Sequence, residues 1–168
     1  MRFESYLSDL LYRYECVTIP EFGAFITQNV SAKIQESTNT FYPPKKAISF
    51  NEQLKNNDGV LANYIASVEK IPFETAVKKI AKKAKLLKSQ MAEGEVVHFK
   101  NIGELYVNTS NNIIFEPSNQ QNYLTEAFGL HQFVSPNILR EEYKSQAENV
   151  IPLTTSPKRR TSVNFLKY

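Results

Sequence analysis

Tryptophan is absent from this 168-residue chain, and cysteine occurs once, at position 16. A single thiol cannot close an internal disulfide, which excludes a disulfide-stapled secreted scaffold. Glycine is scarce, with five residues, and no Gly-rich phosphate loop or catalytic serine motif is present. No run of about 18 apolar residues occurs, so no membrane span is expected within the chain. Met1-Arg2-Phe3-Glu4-Ser5 meets charge at once, without the apolar core of a signal peptide, and a cytosolic location is the expectation. The two histidines, His98 and His131, have no Cys or carboxylate partner at ligand spacing, so neither a metal nor another cofactor is expected. Glu141-Glu142 lie in a polar segment ill suited to acid/base work. These absences leave an enzyme without a residue constellation behind it. Apolar residues make up 42% of the chain, with 11 Phe and 9 Tyr, which is ample for a buried core. Two units of about 60–70 residues would each have a thin one.

The net charge of +3 is unevenly placed. Residues 1–56 carry six Lys/Arg and six Asp/Glu, and residues 57–130 carry eight of each. Residues 131–168 carry six against three, so the excess lies in the tail. A neutral body weakens any argument from bulk charge for nucleic-acid binding.

Phe3, Tyr6, Leu7, Leu10, Leu11 and Tyr14 recur at helical spacing and predict an amphipathic helix. Cys16–Ile19 reads as a strand, Pro20–Gly23 as a break, and Ala24–Thr27 as a second strand. Cys16 is expected at an apolar strand position rather than as a nucleophile. Residues 29–46 are polar and turn-rich, and Ala47–Phe50 is a further strand. Asn57 or Asp58 is placed to cap a helix through Leu61, Tyr64, Ile65 and Val68. Phe73, Val77, Ile80, Ala84, Leu87 and Met91 predict a longer helix, which Gly94 stops. Strands follow at Val96–Phe99, Leu105–Asn108 and Ile113–Phe115, then a short closing helix over Asn122–Leu130. Residues 133–168 read as a linker, mostly disordered, with a basic cluster at Lys158-Arg159-Arg160.

The first half recurs in the second. Glu15–Phe25 can be laid on Glu95–Leu105 at an offset of 80, with three identities, Glu15/Glu95, Val17/Val97 and Gly23/Gly103. Ile48-Ser49-Phe50 matches Ile113-Ile114-Phe115 at an offset of 65, so the second copy has lost 15 residues between its last two strands. A glycine between strands tolerates a bend that a side chain obstructs. The fold class is α+β: two tandem units, residues 1–57 and 58–132, each with helices on a small antiparallel three-stranded sheet.

This layout resembles the HU/IHF family of DNA-bending proteins. Phe22-Gly23-Ala24-Phe25 and Ile102-Gly103-Glu104-Leu105 match its bend between strands, and Leu61 through Met91 matches its first two helices. Copy one lacks the first of these. The order of Tyr6–Leu11, Ile19–Phe25, Thr40–Lys45 and Leu54–Gly59 is similar to a diverged bacterial clade, the tandem HU-like domains related to those of coiled-coil domain-containing protein 81. The resemblance covers roughly residues 1–130. It implies a binding or scaffold module, with a protein partner or DNA, and either an intramolecular pseudo-dimer or a homodimer. It also implies the cytoplasmic N-terminal part of a longer bacterial cell-envelope or division protein. There a membrane helix beyond Tyr168 would lead to a peptidoglycan-binding SPOR domain, and Lys158-Arg159-Arg160 and Lys167 would suit its cytoplasmic flank.

In such relatives projecting β-arms hold DNA, and a proline near the tip wedges between base steps. The long connection of copy one is the arm-like segment here. Pro43 or Pro44, with Lys33, Lys45 and Lys46, would fill that role; an ordinary surface loop is the alternative, favoured by its few cations. Phe41 and Tyr42 serve either as a partner patch or as cover for the core. Lys78, Lys79, Lys82, Lys83, Lys85 and Lys88 on the long helix either contact phosphates or form a solvated face, and the neutral body favours the latter.

Overall fold

A computed structural model describes residues 2–135. Of the expected linker, residues 133–168, the part beyond Ser135 with its basic cluster lies outside the described residues, and its first two residues are a strand, Phe133–Val134, instead. Helix α1 (Phe3–Arg13) buries Phe3, Leu7, Leu10 and Leu11 of the predicted stripe, while Tyr6 is half-buried and Tyr14 lies exposed just past the helix end. Strands β1 (Cys16–Ile19), β2 (Gly23–Val30) and β5 (Lys45–Asn51) form an antiparallel sheet in the order β1-β2-β5. Helices α2 (Val60–Glu69) and α3 (Phe73–Ala92) precede a second sheet, β6 (Val97–Phe99), β7 (Gly103–Val107) and β8 (Ile113–Pro117), in the order β6-β7-β8. Helix α3 ends on a left-handed Gly94, whose N–H donates to Met91 C=O while Glu95 N–H donates to Gln90 C=O. That pair of bonds satisfies carbonyls which a helix end otherwise leaves free.

Both repeat offsets hold residue by residue. Ile19 pairs with Gly23 and Phe99 with Gly103, while Phe25 pairs with Phe50 and Leu105 with Phe115. The bends match as well: Phe22 N–H donates to Ile19 C=O and Ile102 N–H to Phe99 C=O, each at 3.0 Å. Glu21 and Asn101, 80 residues apart, take φ of 63° and 66°.

The expected pair of thin cores is replaced by one. A single buried cluster runs from Phe3, Leu7, Leu11 and Phe25 of copy one to Leu61, Ile65, Ile80, Phe99 and Leu105 of copy two. Phe25 meets Phe99 at 5.2 Å and Phe115 at 5.5 Å between ring centres. Polar contacts follow the same seam. Tyr64 OH donates to Asp9 Oδ2 (2.9 Å), Tyr6 OH to Glu69 Oε1 (3.2 Å), and Lys83 pairs with Glu4 (3.4 Å). Tyr123 is fully buried; its hydroxyl donates to Asn101 C=O and shares a hydrogen bond with Ser8 Oγ. Burial pushes its pKa up. Two copies that each bury little alone gain a larger apolar interior by joining.

Three further expectations change. Residues 29–46 are not a plain loop: β2 runs to Val30, and β3 (Lys33–Gln35) and β4 (Thr40–Tyr42) make a hairpin that turns on Asn39 at φ 49°. The closing helix shrinks to one 3-10 turn, Thr125–Ala127, because its start is engaged elsewhere. Asn122 Oδ1 accepts from Lys46 N–H and Leu124 N–H, and Asn122 Nδ2 donates to Pro44 C=O. Cys16 lies in β1 as expected but is exposed rather than in the core.

Candidate functional site

The two features singled out by sequence are the connection of copy one and the lysine-rich helix. The connection is an arm sheet of its own. Its three strands run β3-β4-β9, where β9 (Phe133–Val134) comes from the far end of copy two. Thr40 pairs with Val134 and Phe41 with Phe133, and the Phe41 and Phe133 rings stack at 4.8 Å with planes 4° apart. Because Ile34 pairs with Phe41, one row of the sheet reads Ile34–Phe41–Phe133. Ile34 is 55% exposed and Phe133 58%, so the row is an apolar strip open to solvent. Tyr42, also exposed, sits opposite Lys33, and its hydroxyl donates to Gln35 Oε1. Phe133 escaped sequence reading; the apolar pair Phe133-Val134 before Ser135-Pro136 was its one signal.

The prolines do not occupy the arm tip. The β3–β4 turn is Glu36–Asn39, whereas Pro43 and Pro44 lie at the base, between β4 and β5. There Pro44 C=O accepts from Asn122. Lys33 and Lys45 are exposed at the two ends of this segment. Lys46 turns inward instead: its ammonium donates to Leu11 C=O and Tyr12 C=O, each at 3.2 Å, at the C-terminal end of α1. A cation there satisfies free carbonyls and opposes the negative helix end. Lys46→Met is expected to destabilise the fold by about 1 kcal/mol, measured by urea denaturation.

The lysines of α3 separate into two groups. Lys79 pairs with Glu69 at 2.6 Å, and that contact holds the Glu69 carboxyl below its ordinary pKa. Lys83 pairs with Glu4 and lies 6.0 Å from the Phe3 ring centre. Lys78, Lys82, Lys85 and Lys88 are exposed, with no ion pair among the described residues. Lys78, Lys82 and Lys85 follow i, i+4, i+7 and make a row about 10 Å long at helical rise. Copy two offers no arm to complement it, since β7 and β8 are joined by the short turn Asn108–Asn112, closed on the Asn108 side chain.

Among the described residues no group of His, Cys, Asp or Glu is arranged to hold a metal ion. The open groove beside the second bend is lined by His98, Lys100, Asn101, Glu104, Glu116 and Gln120. His98 and Glu104, paired on β6 and β7, touch at 3.1 Å in that lining, both largely exposed.

Residues 1–58 match the family model for CCDC81-like prokaryotic HU domain 1, and residues 59–128 match that for CCDC81-like prokaryotic HU domain 2. No curated protein and no solved structure matches the chain.

Proposed function

Since the chain belongs to the CCDC81-like prokaryotic HU family and carries its two domains in tandem, we propose that it is a non-catalytic binding module whose joined copies present one surface to a protein partner. The observation that carries this reading is the state of the arms. Copy one's arm is strapped to the body by β9, and copy two has a turn in its place. A clamp around DNA needs two arms free to close. An apolar strip with an aromatic centre suits a protein partner better, since aromatic anchors dominate such contacts.

DNA binding is the second reading, favoured by the free row Lys78, Lys82 and Lys85. Titration of a short duplex at about 50 mM salt separates the two. The expected result is no sub-micromolar binding. Sub-micromolar binding with a steep salt dependence, lost in the triple variant Lys78→Glu, Lys82→Glu, Lys85→Glu, would establish the DNA reading instead.

The family resemblance further supports a place at the cytoplasmic face of the inner membrane, in a membrane-anchored SPOR-type envelope or division protein. An apolar stretch encoded directly after Tyr168 is expected on this view. A polar continuation would refute it.

A further inference from the structure

The strap β9 is lightly rooted. Its two residues are 58% and 65% exposed. Its attachments are the pairs with Thr40 and Phe41, the stacked rings, and Ser135 N–H donating to Asn39 C=O at 3.0 Å. The last buried residue before it is Ala127, and Phe128 rests edge-on against Tyr12. Between Phe128 and β9 every residue is exposed, and Gly129 takes a left-handed φ of 82° with open space around it. One backbone bond spans the hinge, Leu130 N–H to Ala127 C=O at 3.1 Å, so the segment can swing at Gly129 at the cost of that bond and without uncovering the core. The β4 edge that it covers is, by contrast, held in place by β3 on its other side.

We propose that the outer edge of β4 is a strand-acceptor site for a Phe-Val segment, filled in cis by β9 and filled in trans by the β9 of a second copy. A second copy carries the identical segment, so exchange keeps the two strand pairs, the Phe41–Phe133 stack and the bond to Asn39. Exchange of identical elements is a low-cost route to dimers when the hinge is free. The short tether favours the cis form in dilute solution, and trans filling rises as chain concentration approaches the millimolar effective concentration of such a tether. Release of the strap in one copy does not make a paired clamp around DNA, because copy two has only the Asn108–Asn112 turn in place of an arm.

Two experiments on the full chain test it. The first uses a fluorescent peptide of residues 129–136 and the variant Phe133→Asp, Val134→Asp, whose own strap is disabled. The peptide is expected to bind this variant at least tenfold more tightly than the wild-type chain, and a peptide carrying Phe133→Ala is expected to lose binding. Equal binding to both chains, or none, overturns the proposal. The second keeps the strap intact, with Cys16→Ser, Thr40→Cys and Val134→Cys on two differently tagged copies mixed at about 1 mM. Opposed strand positions lie within disulfide reach. Disulfides joining the two tags are expected, in a yield that falls on dilution. Only intrachain disulfides at every concentration would overturn the trans filling.

Discussion

Phe25→Ala is expected to lower stability by about 3–5 kcal/mol, and to lower it in both halves together. Phe25 is fully buried, and its ring meets Phe50 of its own copy and Phe99 and Phe115 of the other. Removing it leaves a cavity walled by both sheets, which cannot collapse without moving one copy against the other. For a domain whose total stability is about 5–15 kcal/mol, the loss is a large share. Calorimetry should show one transition, shifted down by roughly ten degrees or more. A variant in which only copy one melts early would mean that the halves are coupled weakly.

The second large effect belongs to the repeated glycine. Gly103→Ala is expected to destabilise by about 3–5 kcal/mol, the sum of forced overpacking and an unfavourable backbone conformation. A Cβ at Gly103 would lie 2.3 Å from Glu116 C=O and 2.7 Å from the Phe115 ring, at a φ of 152°. The carbonyl belongs to the paired strand and has nowhere to retreat. Gly23→Ala meets the equivalent obstacle, with Phe50 at 2.3 Å, Asn51 C=O at 2.9 Å and a φ of 156°. By contrast Gly94→Ala, whose surroundings are open, should cost only about 1 kcal/mol for its left-handed backbone. Urea midpoints of the three variants check the order. Comparable losses at all three would show that the close strand approach is not what selects glycine at the bends.

The repeat was legible because its marks are local. A glycine forced by close strand approach and apolar residues in strict register leave the same trace in both halves, and both offsets follow from them. The helices were legible for a similar reason, since Leu7, Leu10 and Leu11, or Ile80, Ala84 and Leu87, announce a buried face by spacing alone. Spacing does not say what that face is buried against, so the shared core was hidden: Asp9 and Tyr64, or Phe25 and Phe115, are far apart in sequence. The arm strands were hidden for the opposite reason. Lys33–Gln35 is exposed throughout, so no alternation of apolar and polar residues marks it. Lys46 read as an arm cation, yet its partners are carbonyls 34 and 35 residues away. Of the candidate site, the lysine row and Phe41-Tyr42 could be named from sequence. The aromatic partner of Phe41 lies 92 positions further along, at the edge of what reads as a linker.

The two HU-like copies form one folded body around a shared core. Amide hydrogen exchange of the full chain in rising urea tests this most directly, with the amides of Phe25 and Leu105 as matched reporters, since each occupies the same strand position of its own copy. One common midpoint is expected for both amides, with a common downward shift in the Phe25→Ala chain. Separate midpoints, with Leu105 still protected after Phe25 has opened, would contradict it.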